Sequence, residues 1–117
     1  IKYDPSHSIE HTRDYKEYLP EMAEFGDRFY HFHVKGSLFI NGEHYDDPPA
    51  GMDGINWGAA FDILYTKNYD GAVCYEPHSK YWVGAKGRWA IDFSLNYIKP
   101  FFMPEDYKGD MASPYSL

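Results

Sequence analysis

The chain has 117 residues and a formal net charge of −7, with 44% hydrophobic and 25% charged residues. Length allows one modest core but not a complete (β/α)₈ barrel, which takes about 250 residues. The composition excludes disordered and fibrous classes. The acidic balance, with no Lys/Arg cluster, argues against nucleic acid as a partner, because a phosphate backbone would be repelled. No apolar run approaches the roughly 20 residues of a membrane span, so no membrane partner is expected. The single Cys74 excludes an internal disulfide and fits a reducing, cytoplasmic setting. Aromatics are abundant, with 12 Tyr, 8 Phe and 3 Trp.

In chain order, Ile1 to Tyr3 reads as a strand stub ending at Asp4-Pro5, with Ser6-His7 in the loop that follows. Asp14 and Glu17 have the spacing of a capping box. Tyr15, Tyr18, Leu19, Met22 and Phe25 then recur at helical spacing, with Pro20 expected to kink the helix and Gly26 to stop it. Arg28 to Val34 reads as a second strand. Its lack of clean alternation suits a strand of a parallel sheet covered on both faces. The segment from Gly36 to Asn56 is then a long loop, and loops above about 12–15 residues in compact domains are usually functional or disordered. A helix is expected over 57–67, with Trp57 anchoring it. A third strand follows from Gly71 to Tyr75, and a last helix from about Arg88 to Phe101. From Met103 to Leu117 the chain loses its period and reads as a surface arm or loose tail, separate from a domain over 1–102.

Strands alternating with helices predict an α/β fold with right-handed crossovers and a parallel sheet. Ligands of such folds bind at the C-terminal ends of the strands. Those ends carry Asp4, His33 and Glu76, each separated from the next by one loop–helix–strand unit. Oxygen and imidazole groups in that mixture suit a divalent cation such as Mn²⁺, Mg²⁺, Co²⁺ or Zn²⁺. Alternation places His33 with His31, and Glu76 with Ala72 and Cys74, while Val73 and Tyr75 face the helix layer. His7 and Lys35 lie beside these positions, and Trp82 follows Glu76 in a loop from which it could stack on a sugar ring. His31 is expected one layer below the site, His44 and His78 at the surface, and Cys74 as inert packing.

The ordered set Tyr3-Asp4-Pro5-Ser6-His7, His31-Phe32-His33-Val34-Lys35, Gly51 to Trp57, Tyr69-Asp70-Gly71 and Tyr75-Glu76-Pro77 resembles the C-terminal part of the sugar phosphate isomerase/epimerase family, the xylose isomerase-like TIM barrels. The similarity covers residues 1 to about 101. It implies the last three βα units, about three strands and three helices, of a barrel incomplete on its own. It implies a divalent ion held by Asp4, His33 and Glu76, with Glu76 also a catalytic acid/base beside a carbonyl. It implies that His7 contacts a sugar or sugar phosphate substrate. A missing N-terminal half or self-association would complete the barrel, as the absence of an initial Met also suggests. The chain departs from the family's pattern at Gly36, where many relatives carry Asp, and at Phe39, where some epimerases carry arginine. The competing expectations are a non-catalytic metal- or carbohydrate-binding module, and an inactive fragment.

Overall fold

The computed structural model describes residues 1–105. These form a mixed α/β fold in which five strands and four α-helices are described: β1 (Lys2–Tyr3), α1 (Pro5–Thr12), α2 (Tyr18–Phe25), β2 (His31–Val34), β3 (Leu38–Ile40), β4 (Glu43–Asp46), α3 (Trp57–Thr66), β5 (Ala72–Tyr75) and α4 (Gly84–Ile98). Strands β1, β2 and β5 make a parallel sheet in that order, and β3 and β4 form a separate antiparallel pair. The three strands expected from the sequence are thus the three of the parallel sheet, but β2 is shorter than the expected Arg28–Val34, a 3₁₀ turn over Gly26–Arg28 preceding it, and one of its faces is open rather than covered. Most of the expected tail, from residue 106 onward, lies outside the described residues.

Strand alternation divides the sheet into two unlike faces. Phe32 pairs in register with Tyr3 and Val73, and Val34 with Tyr75. Phe32 and Val34 are fully buried, and Tyr3, Val73 and Tyr75 pack against the same cluster. Phe32 meets the rings of Trp57 and Phe61 edge-on, at 6.4 and 6.3 Å between centroids. Trp57 is itself fully buried and anchors α3 as expected. The opposite face carries Lys2, His31, His33, Ala72 and Cys74, all exposed or half-buried. Cys74, expected as packing, is exposed there.

Four local expectations are corrected. The Pro5–Thr12 segment is a helix, not a loop. Asp4 is its N-cap, Oδ1 accepting from the Ser6 N–H at 2.9 Å, and Pro5 occupies the first turn, where a missing N–H costs nothing. Asp14 does not cap α2, because its carboxylate accepts from the Lys16 N–H instead and the helix begins at Tyr18. Pro20 then falls in the first turn and produces no kink. Helix α4 begins at Gly84, about one turn before Arg88.

The long segment from Gly36 to Asn56 is also not structureless. Asn41 and Gly42 both have positive φ, 52° and 79°, and turn β3 back onto β4. An Asn-Gly pair takes those angles more cheaply than other residues, which is why it closes two-residue hairpins. At the base of the segment, Gly36 lies so close to the Pro48 carbonyl that a Cβ would collide with it.

Candidate functional site

Parallel pairing brings the ends of β1, β2 and β5 to one edge of the sheet, with neighbouring strands about 4.8 Å apart. His33 aligns with Cys74, and the Glu76 N–H donates to the Val34 carbonyl at 2.9 Å, carrying the ladder past β5. His33 and Glu76 therefore project on the same open face. Their side chains meet, His33 Nδ1 against Glu76 Oε1. The other carboxylate oxygen of Glu76, Oε2, stands 3.3 Å from His78 Nε2. The His31 ring lies beside that of His33, with centroids 4.7 Å apart.

Asp4, at the end of β1, is buried, and extended backbone (φ −135°) places it on the Lys2 face of its strand. Its Oδ1 accepts from both the N–H and the hydroxyl of Ser6, at 2.9 and 2.7 Å. Its Oδ2 faces His7 Nε2 at 3.7 Å, while most of the His7 side chain is exposed. Lys35, just past β2, is buried, with Nζ 3.4 Å from Glu10 Oε1 on α1. Trp82 stacks on Trp89 of α4 at 5.6 Å.

Of the sequence-derived ligand set, then, His33 and Glu76 are in contact, and Asp4 is engaged by its own helix. Among the described residues, no group of three or more His, Cys, Asp or Glu side chains is arranged to hold a metal ion. By donor chemistry, the His33–Glu76 pair offers the imidazole nitrogen and carboxylate oxygen that a divalent ion takes. Asp4 Oδ2, outside the helix cap, is the third candidate donor.

The loops at this edge are tied to one another. Asp53 Oδ2 accepts from the Ser37 N–H at 3.0 Å, and its Oδ1 accepts from the Gly51 N–H and the Trp57 indole N–H, at 3.3 and 3.2 Å. Burial pushes its carboxyl up to about 6, against the opposing pull of these donors. The Tyr15 hydroxyl donates to the Ser37 carbonyl and accepts from the Phe39 N–H, which binds the start of the hairpin to the segment before α2. Burial also raises the Tyr15, Tyr18 and Tyr75 hydroxyls above the usual tyrosine value. The Ser79 hydroxyl meets the buried Asp46 carboxylate at 3.0 Å and accepts from the Tyr81 and Trp82 N–H groups, joining the end of β4 to the loop after β5.

The sequence reading missed an open cleft of about 390 Å³ between α1 and the hairpin, lined by Glu10, Arg13, Phe39, Glu43, His44 and Asp47. Arg13 spans it, Nη1 standing 3.7 Å from Glu43 Oε2. His44, expected to be solvated, is half-exposed and bonded to Asp47 Oδ1 at 2.9 Å. Two signals in the sequence point to this cleft: Asp4-Pro5 as a helix start and Asn41-Gly42 as a hairpin turn.

Together these features define a mixed α/β fold with a small parallel sheet and tethered loops at the strands' C-terminal edge. No family model, curated protein or solved structure matches the chain. Among the described residues, no helix is long and apolar enough to cross a membrane.

Proposed function

We propose that this chain contributes the last βα units of a metal-dependent sugar or sugar phosphate isomerase or epimerase. The observation that supports this reading best is positional. Asp4, His33 and Glu76 stand at the same end of three adjacent parallel strands, and two of the three side chains already touch. In this reading the three residues hold a Mn²⁺, Mg²⁺, Co²⁺ or Zn²⁺ ion. A bound divalent ion supplies Lewis-acid polarisation of a substrate carbonyl. Glu76 carries a proton to and from the carbon beside that carbonyl. His7, Lys35 and Trp82 are the substrate contacts, with Lys35 held in place by Glu10. Strands β1 and β5 are the edges of the described sheet, where an upstream half or a second copy would continue the barrel.

The test is a Co²⁺ titration followed by visible absorbance, on the protein in its full reading frame, beside His33→Ala, Glu76→Gln and Asp4→Asn variants. Solvent-deuterium incorporation into a panel of ketoses and ketose phosphates is then followed by NMR. The expected result is Co²⁺ binding that weakens in every variant. Glu76→Gln should also slow exchange by about 10²–10⁴-fold. Co²⁺ binding indifferent to all three substitutions overturns the reading. Site-dependent binding with no exchange in any sugar would mark a non-catalytic metal-binding module instead.

A further inference from the structure

The geometry points to His78 as a positioning residue that fixes the orientation of the Glu76 carboxylate. This inference rests on the role given to Glu76 above and adds a residue to it. The Glu76 main chain is held by its N–H on the Val34 carbonyl. Each oxygen of the side chain has an imidazole nitrogen beside it, His33 Nδ1 at Oε1 and His78 Nε2 3.3 Å from Oε2. Rotation about the terminal torsion of a glutamate is soft and nearly two-fold, so one contact leaves the plane of the carboxylate free to turn. A partner at each oxygen restrains that rotation.

The backbone around His78 is arranged for this. Pro77 fixes its own φ and keeps Glu76 extended. On the other side, the Ser79 hydroxyl ties the loop to Asp46 and to the N–H groups of Tyr81 and Trp82. His78 therefore sits between two restrained neighbours, although its side chain is half-exposed. A carboxylate that both ligates an ion and moves a proton must present one chosen oxygen to each task. A partner on the oxygen away from the ion is the usual device, and losing such a partner costs about 10–100-fold in metal affinity. The alternative is a solvent-screened surface ion pair without effect on the orientation of Glu76.

The experiment compares the wild-type protein with His78→Gln, which keeps a side-chain N–H donor, and His78→Phe, which keeps a ring without one. Side-chain ¹³C relaxation of Glu76 is read without metal, and Co²⁺ affinity is read afterwards. Thermal melting of each variant confirms that it is folded. We expect an ordered Glu76 side chain in the wild type and in His78→Gln, and an averaged one in His78→Phe. Co²⁺ affinity should fall about ten-fold or more in His78→Phe and far less in His78→Gln. A Glu76 side chain equally ordered in all three proteins overturns the inference. If His78→Phe frees Glu76 but the wild type binds no Co²⁺, the metal-enzyme reading fails and the positioning role of His78 stands.

Discussion

Asp53 provides the sharpest test of the forces in this fold, because its charge works against the structure that it ties together. Its carboxylate collects three N–H donors, from Ser37, Gly51 and Trp57, yet burial lifts its carboxyl to about 6. Desolvation therefore outweighs the donors. The sign follows from linkage. A carboxyl whose value rises on folding binds its proton more tightly in the native state. Its contribution is thus most favourable at low pH and is lost as pH rises through the folded value. Against an ordinary 3.8, a shift of this size corresponds to about 3 kcal/mol at neutral pH.

Asp53→Asn removes the titration while keeping the size of the side chain. Between about pH 7.5 and about pH 4.5, linkage makes the stability of the wild type gain about 2 kcal/mol relative to the variant. Constant effects of the substitution, such as an amide N–H turned toward the Ser37 N–H, cancel in that difference. Urea unfolding of both proteins at the two pH values measures it. An equal gap at both values, or a carboxyl ¹³C titration of Asp53 with a midpoint near 4, would refute the account.

Other substitutions probe the core, the turn and the loop clasp. Phe32→Ala removes the ring between Trp57 and Phe61 and should cost about 3–5 kcal/mol in urea unfolding. Gly42→Val forces a β-branched residue into positive φ. It should cost about 1–2 kcal/mol and abolish the NMR contacts between Phe39 and His44. Ser79→Ala leaves the buried Asp46 carboxylate without its hydroxyl partner. A loss of about 1–3 kcal/mol is expected, with faster hydrogen exchange at Tyr81 and Trp82. Unchanged exchange there would mean that Ser79 does not hold the loop.

The parallel sheet was legible in the sequence because each of its strands is a short stretch leading into a polar or glycine-bearing corner, with helical spacing in the segments between them. The separation of Val73 and Tyr75 from Cys74 and Glu76 onto opposite faces also follows from alternation, but Cys74, expected as packing, is on the exposed face. Boundaries set by competition for hydrogen bonds were not legible. Asp14 satisfies the capping pattern, but its carboxylate accepts from Lys16, and the Tyr15 hydroxyl is committed to Ser37 and Phe39 across the loop. Local spacing contains no information about such distant partners. The hairpin was different, since Asn41-Gly42 announces its turn locally. The His78 contact joins side chains two positions apart, His78 Nε2 standing 3.3 Å from Glu76 Oε2, and no sequence motif announces it.

The distribution of tethers bears on function. A fold that needed only its core would hold together through Phe32, Trp57, Phe61 and the residues around them. Here partly buried polar contacts accumulate at one edge of the sheet: Asp53 on Ser37 and Trp57, Tyr15 on Ser37 and Phe39, and Asp46 on Ser79. Each joins segments that leave the C-terminal ends of strands or lie beside them. Burying a carboxylate to tie down a loop opposes stability, and burial pushes the Asp53 carboxyl up. Loops tethered beside Asp4, His33 and Glu76 suit a site demanding fixed side-chain geometry. The tethers therefore argue for a site at this edge independently of the identity of the three residues.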